Sequence, residues 1–321
     1  MKTKILPNTF LSVGVLFALA RLLAAAMSSI LLLGILAPNV SGGTSDGVLN
    51  FSNTPLLRPQ PTFITFDPPG SIDTRPRSIN PAGEITGFYE DTSLVSHGFL
   101  RARDGTITTF DVPGSIGTSP QSINRAGEIT GLYNDTSFVL HGFLRARDGT
   151  IITFEVPGGS GTQAIGINPA GAITGQYFDV NFLGHGFLRA RDGTFITFDP
   201  PGSMGTVPLS INPAGEITGF YSDTSGVSHG FLRDGTIITF DPSGSIGTFS
   251  QSINPAGEIT GFYEDTSFEL HDFLRARDGT FTTFDVPGAT GTQANSINPA
   301  REITGSYFDV TFLGHGFLRS R

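Results

Sequence analysis

Residues 78–115 read SINPAGEITGFYEDTSLVSHGFLRARDGTITTFDVPGS, and close variants of this stretch fill the chain from Phe63 to Arg321. The clearest anchor is a string of the form TFDxPG, which occurs in six variants. Successive anchors are 44 residues apart, except for one step of 42 where LRARDG is shortened to LRDG. A period of about 40 to 45 residues indicates a β-propeller or another repeat array. The anchor phenylalanines are Phe66, Phe110, Phe154, Phe198, Phe240 and Phe284.

Each unit contains four short apolar runs, here called strands A to D, which are separated by turn residues. In the quoted unit, A lies around Ile79, B covers 84–89, C covers 97–102 and D covers 106–111. An Asn-Pro-Ala-Gly turn joins A to B and an Arg-Asp-Gly turn joins C to D, as is typical of hairpins. The runs are rich in β-branched and aromatic residues and show no helical stripe, so the unit is predicted to be all-β.

The two ends of the repeat region complement each other. A lone D strand at 63–67 precedes the first complete unit, and the last unit stops after its strand C. We therefore predict a six-bladed β-propeller of four-stranded blades, in which the N-terminal strand completes the C-terminal blade, because closure removes exposed sheet edges. An open array is the alternative. Shared strings divide the propeller, residues 63–321, into two blocks of three repeats, 63–194 and 195–321.

The first 62 residues differ in character from the repeats. Lys2 and Lys4 precede an apolar stretch at 10–37 that only Arg21 interrupts, which predicts a signal peptide or a signal anchor over 1–42. Of the two, the cleaved signal peptide is favoured by the form of the segment. Residues 43–62 are predicted to form a flexible leader. The protein is therefore expected to be secreted, or to reside at the cell surface or in the periplasm.

The composition restricts the class of partner. The chain has a formal net charge of −9 at pH 7, with 19 basic and 28 acidic residues, and it has no cysteine. Disulfides are therefore excluded. Because an acidic chain without basic clusters is a poor nucleic-acid binder, we expect no nucleic-acid partner. Membrane contact is expected only through an uncleaved N-terminal segment, and the propeller is expected to be a monomer.

All six histidines occupy one repeat position, at the start of strand C. Strand C is third from the propeller axis, so the copies would lie far apart, and we expect no second His, Cys or carboxylate at ligand spacing beside them. We therefore predict structural histidines, each hydrogen-bonded to a neighbouring turn or strand, and no metal or cofactor site. These residues are His97, His141, His185, His229, His271 and His315.

Carboxylates recur at two positions of the unit: one opens the B–C loop and the other ends strand D. In an up-and-down blade the B–C and D–A connections lie at the same face of the ring, here called the long-loop face. Because long loops on a rigid scaffold often carry binding sites, this face is the predicted ligand face. A solvated acidic rim is the alternative, and Ca²⁺ is a weak option because no EF-hand-like DxDxDG string is present. The B–C loop aspartates are Asp91, Asp135, Asp179, Asp223, Asp265 and Asp309, and strand D ends with Asp67, Asp111, Glu155, Asp199, Asp241 and Asp285.

A single active site would require a place where one unit departs chemically from the others. The departures found are Arg125 for proline, Ala172 for glutamate, and Asp272 and Arg301 for glycine. They are scattered over different units, so no catalytic residues are predicted. We interpret the repeats as a non-catalytic binding module for a glycan, a peptide or a protein. A propeller enzyme, such as a polysaccharide lyase, hydrolase or lactonase, and a purely structural array are the alternatives.

The strings GINPAGAITGQY (166–177), HGFLRARDGT (97–106) and TFDVPGATGTQA (283–294) resemble the HAF-repeat family of bacterial proteins, which is named for a His-Ala-Phe string. Here that string reads His-Gly-Phe at five positions and His-Asp-Phe at His271. The resemblance covers 63–321. It implies an exported, propeller-like repeat protein, and it brings no assigned activity and no catalytic residues.

Overall fold

The computed structural model describes residues 64–320, which form 23 β-strands arranged in six antiparallel sheets. Each sheet is one blade, and its strands follow the order of the sequence, so the described chain is an all-β, six-bladed propeller. The predicted fold class is confirmed. The predicted signal segment at 1–42 and the leader at 43–62 lie outside the described residues. Within residues 64–320 we find no helix that could cross a membrane.

Strands B, C and D lie where the apolar runs predicted them, whereas strand A ends at its predicted run and begins earlier, among the residues expected to form the D–A connection. Blade 1 contains β1 (Ser71–Ile79), β2 (Ile85–Asp91), β3 (Ser96–Arg101) and β4 (Ile107–Phe110), and blade 2 contains β5 (Gly117–Ile123), β6 (Ile129–Asn134), β7 (Leu140–Arg145) and β8 (Ile151–Phe154). Blade 3 contains β9 (Gly161–Ile167), β10 (Ile173–Phe178), β11 (Gly184–Arg189) and β12 (Phe195–Phe198), and blade 4 contains β13 (Ser203–Ile211), β14 (Ile217–Asp223), β15 (Ser228–Arg233) and β16 (Ile237–Phe240). Blade 5 contains β17 (Ser245–Ile253), β18 (Ile259–Asp265), β19 (Leu270–Arg275) and β20 (Phe281–Phe284), and blade 6 contains β21 (Gly291–Ile297), β22 (Ile303–Phe308) and β23 (Gly314–Arg319).

The core of the propeller lies between successive blades. In blades 1 to 5 the phenylalanine of strand C is fully buried, and each of these rings should contribute roughly 1.5–3 kcal/mol by burial. The strand D phenylalanine of one blade packs edge-on against this ring in the next blade. Phe110 of blade 1, for example, meets Phe143 of blade 2 with ring centroids 6.3 Å apart. The guanidinium of Arg145 lies 4.8 Å from the centroid of the same Phe110 ring.

The asparagine of the Asn-Pro-Ala-Gly turn does more than form the turn. Oδ1 of Asn124 accepts hydrogen bonds from the backbone N–H groups of Ala126 (2.9 Å) and Glu128 (3.0 Å), which fixes the A–B hairpin. Its Nδ2 donates to the backbone oxygen of Asn168 in the next blade, at 3.1 Å. The same link runs from blade 1 through to blade 6, so a chain of buried asparagines holds neighbouring blades together.

Ion pairs across the blade junctions explain two departures from the repeat. Glu84 of blade 1 pairs with Arg147 of blade 2, and equivalent pairs join blades 2 and 3 and blades 4 and 5. At the junction of blades 3 and 4 the glutamate is replaced by Ala172, and the two-residue deletion before Asp234 removes the arginine. Both partners of one ion pair are therefore lost together. The unusual Arg301 contacts Glu258 of the preceding blade, at 2.9 Å.

The sixth blade has three strands among the described residues. The predicted closing strand at 63–67 includes residue 63, which lies outside them, and residues 64–67 form no strand. Phe66 nevertheless packs against Phe99 of blade 1 with ring centroids 6.0 Å apart, as a strand D phenylalanine does elsewhere. Closure of the ring by pairing of this segment with β23 stays a prediction.

Candidate functional site: the long-loop face

In blades 1 to 5 each histidine bridges the two carboxylates of its blade, and His315 of blade 6 contacts Asp309. In blade 1, Nδ1 of His97 lies 2.9 Å from Asp111 at the end of strand D, and Nε2 lies 3.5 Å from Asp91 in the B–C loop. The imidazole also packs on Tyr89, with ring centroids 5.2 Å apart. The two sets of carboxylates therefore share one face of the propeller. The expectation that no carboxylate lies at ligand spacing beside the histidines is wrong, because residues 6 and 14 positions away meet across the blade.

These contacts change the titration of the histidine. Burial alone would lower the pKa of His97, but the hydrogen bonds and charges of Asp111 and Asp91 outweigh it and raise the pKa above its usual value. His229 and His271 respond in the same way. The histidines therefore hold the B–C loop to the end of strand D.

The six B–C loop aspartates, which sequence analysis offered as ligand groups, are built into the loops. Oδ1 of Asp135 accepts the backbone N–H groups of Ser137 (2.8 Å) and Val139 (2.9 Å), and its Oδ2 lies 3.2 Å from Nε2 of His141. Hydrogen bonds from the backbone of Val139 and then from His141 keep the pKa of Asp135 below its usual value. In Asp223 the additional hydroxyl of Ser225 lowers the pKa to about 2. The aspartates therefore shape the loop that lies between them and strand C.

An exposed apolar residue stands at the tip of these loops, three positions after the aspartate. Phe138 is 79% exposed and Phe182 is 80% exposed, and the tips of the other loops are similar except in blade 4. All five apolar tips have φ between 60° and 63°, in the left-handed region that disfavours side chains. In blade 4 the tip is Gly226, with φ of 85°. The five apolar tip residues, here called the tip residues, are Leu94, Phe138, Phe182, Phe268 and Phe312.

The tip residues are unfavourable for folding. A side chain in the left-handed region costs about 1–2 kcal/mol, and an exposed phenylalanine recovers little of this by burial. Glycine would avoid the strain, as Gly226 shows. Sequence analysis missed these residues, although a large apolar residue in the middle of a polar loop was the signal that could have revealed them. Because backbone strain of this kind is concentrated at functional sites, these recurring exposed apolar residues make the long-loop face a candidate binding surface.

The inner strands surround an axial cavity of about 280 Å³. The six blades contribute different side chains at equivalent positions of its wall, and Arg77 is the charged residue among those that line it. Burial and the neighbouring Arg75 lower the pKa of Arg77. This wall can hydrogen-bond a small polar molecule. The equivalent residues are Arg77, Gln121, Ile165, Leu209, Gln251 and Asn295.

The four departures from the repeat lie in separate blades. Arg125 is exposed on an A–B turn of blade 2, and Ala172 and Arg301 lie on the same turn in blades 3 and 6. Asp272 is buried in strand C of blade 5. The structure therefore does not bring these four residues together into one group.

No protein-family model matches the chain, and no curated protein matches it. Solved structures do resemble it. The β-propeller domain of the Trilobed protease from Pyrococcus furiosus, which has an open velcro topology, is 13% identical with a TM-score of 0.56, and the match covers 76% of this chain and 80% of that one. Virginiamycin B lyase from Staphylococcus aureus is 12% identical with a TM-score of 0.51, over 75% of this chain and 83% of that one.

A six-bladed fungal lectin from Aleuria aurantia that recognises fucose is 16% identical with a TM-score of 0.45, over 78% of this chain and 93% of that one. At identities this low, the matches to the protease domain and to the lyase show the propeller fold and nothing finer.

Proposed function

We propose that this chain is an exported binding module, and a member of the HAF-repeat family, whose long-loop face engages an extracellular glycan, peptide or protein. The recurrence of exposed tip residues in the left-handed region carries this proposal. Aromatic side chains supply large contact area at low entropic cost and are enriched where proteins bind partners. Five copies around one face also suit a ligand with a repeating structure, because several weak contacts to one polymer combine into a higher apparent affinity.

The proposal is tested with a variant that keeps the loops and removes three of the four aromatic tip side chains. Phe138→Gly, Phe182→Gly and Phe268→Gly are combined, since glycine is the native tip residue of blade 4. The matched control is Ile152→Thr, an exposed apolar residue on a strand whose blade 1 equivalent is Thr108. The purified proteins are applied to a glycan array, to insoluble polysaccharides and to a peptide array.

We expect the parent chain and the control to bind one class of probe and the triple variant to lose at least tenfold in affinity. Equal binding by the triple variant would contradict the role of the tip residues. Silence of the parent chain on every probe would favour the structural array.

A stability measurement checks the strain at the tips. Phe138→Gly is expected to leave the free energy of unfolding unchanged or to raise it by up to about 1 kcal/mol, because relief of the left-handed strain offsets the added chain entropy of glycine. Urea unfolding of the single variant measures this difference. A loss of more than about 1 kcal/mol would show that the ring contributes packing that its exposure does not suggest.

A further inference from the structure

The wall of the axial cavity changes chemically from one side to the other. Each blade contributes the residue that stands two positions before the end of its strand A. Because strand A of each blade contacts strand A of the next, positions three blades apart lie across the cavity from each other. Arg77 of blade 1 therefore lies opposite Leu209 of blade 4, and Asn295 of blade 6 lies opposite Ile165 of blade 3. One side is charged and polar and the other is apolar, and between them stand Gln121 and Gln251.

Arg77 has hydrogen-bond donors available for an anion. Its guanidinium carbon lies 5.2 Å from the centroid of the Phe88 ring. A guanidinium stacked in this way keeps N–H groups at its edge, where they match the two oxygens of a carboxylate. Within residues 64–320 Arg77 forms no ion pair, whereas the neighbouring Arg75 is paired with Asp73 at 2.6 Å. No Asp or Glu of the described chain lines the cavity, so the positive charge of Arg77 has no counter-charge in the wall.

Three serine hydroxyls in the same wall supply further donors. Oγ of Ser78 accepts the backbone N–H of Ile123 in the next blade at 3.2 Å. Ser210 and Ser252 accept the equivalent N–H groups, at 3.3 and 3.4 Å. Within the described part of the chain none of these three hydroxyls donates to a protein acceptor. Since a hydroxyl can donate one proton while it accepts, each can donate to a ligand in the cavity.

We propose that the axial cavity binds a small carboxylate that carries a short, branched aliphatic group. Arg77 and Ser78 hold the carboxylate, Asn295 of the adjacent blade donates to it, and the aliphatic group packs against Ile165 and Leu209. The cavity, of about 280 Å³, is close in size to the smallest ligand pockets, which begin at about 300 Å³. It lies at the end of strand A beside the A–B turns, so this inference does not rest on binding at the long-loop face.

Isovalerate and its neutral amide, isovaleramide, test the charged side of the cavity. Each is titrated into the purified full chain, and binding is measured by ligand-observed NMR. We expect isovalerate to saturate one site and isovaleramide to bind at least tenfold more weakly, because hydrogen bonds between charged groups are stronger than neutral ones.

The repeat provides matched variants for this measurement. Arg77→Gln introduces the residue of blade 2 and is expected to lose at least tenfold in affinity for isovalerate. Arg75→Gln, which introduces the residue of blades 3 and 6, removes a positive charge that does not line the cavity and should lose less than threefold. Because both arginines are exposed, both variants are expected to keep the thermal stability of the parent chain. Equal binding of acid and amide, unaltered isovalerate binding by Arg77→Gln, or no saturable binding to the parent chain would overturn the proposal.

Acetate and inorganic phosphate test the apolar side. We expect isovalerate to bind at least tenfold more tightly than either, because only isovalerate can bury an aliphatic group. Leu209→Gln, which introduces the residue type of blades 2 and 5, should reduce the ratio of isovalerate to acetate affinity at least threefold and leave acetate binding unchanged. A purely structural effect of this substitution would weaken both carboxylates alike. Acetate or phosphate binding as tightly as isovalerate would contradict the assignment to an aliphatic carboxylate.

Discussion

Replacing Asp272 with glycine is expected to stabilise the protein, and the gain should be roughly 3–4 kcal/mol larger at pH 8 than at pH 4. Burial raises the pKa of Asp272 to about 7, against a usual value of 3.8, although the hydrogen bond from Ala294 opposes this and the nearby Asp285 adds to it. One unit of pKa corresponds to about 1.4 kcal/mol, so the shift of about three units sets the size of the effect.

The direction in which stability changes with pH follows from proton binding. Between pH 3.8 and about 7 the folded protein keeps the Asp272 carboxyl protonated, while the unfolded chain releases the proton. The folded state therefore binds more protons than the unfolded state, and stability falls as the pH rises through this window. Above this pH window the loss of stability is complete and no longer changes with pH. Glycine removes the group, and with it this part of the pH dependence.

Urea unfolding of the parent chain and of Asp272→Gly, at pH 4 and at pH 8, measures this difference. Gly142→Asp in blade 2 is the converse control. It should destabilise the protein, since a Cβ at Gly142 would collide with the ring of Phe154. An equal gain for Asp272→Gly at both pH values would mean that the carboxyl ionises freely in the folded protein.

The fold was predictable from sequence because the same turn residues and apolar runs recur in six units. Each unit places Asn-Pro-Ala-Gly and Asp-Gly turns between short apolar runs, so strand order and blade number followed directly. The role of Asn124 was only half predictable. Its turn geometry depends on neighbours in sequence, whereas its bond to Asn168 depends on the angle between two blades.

The position of the carboxylates on one face of the propeller was predictable, but their use within the loops was not. Asp135 looked like a free carboxylate, yet its oxygens are used by its own loop and by His141. The importance of Phe138 rests on its exposure and its positive φ, which arise only when the loop closes on Asp135.

Removing the amide of Asn124 is expected to cost about 3–5 kcal/mol of folding stability. Asn124→Ala leaves two backbone N–H groups of the A–B turn, the carboxylate of Glu128 and the backbone oxygen of Asn168 without their partner. Buried polar groups that lose a partner cost about 1–3 kcal/mol each, and some of these can recover water. Chemical denaturation of the alanine variant measures the loss, and a value below about 1 kcal/mol would contradict the role of Asn124 in joining blades.

The same substitution at the last copy tests closure of the ring. Asn298 keeps its bonds within the A–B turn, but among the described residues it is exposed and has no recorded bond to blade 1. We expect the ring to close in solution, because blades 6 and 1 hold the partners that join the other blades: Asn298 for the backbone of Asn80, and Glu302 for Arg103. Asn298→Ala should then cost nearly as much as Asn124→Ala, and a double-mutant cycle on Glu302 and Arg103 should give a coupling of about 0.2–1 kcal/mol. If the ring stays open, Asn298→Ala costs clearly less than Asn124→Ala, since water replaces the lost partners at an exposed turn.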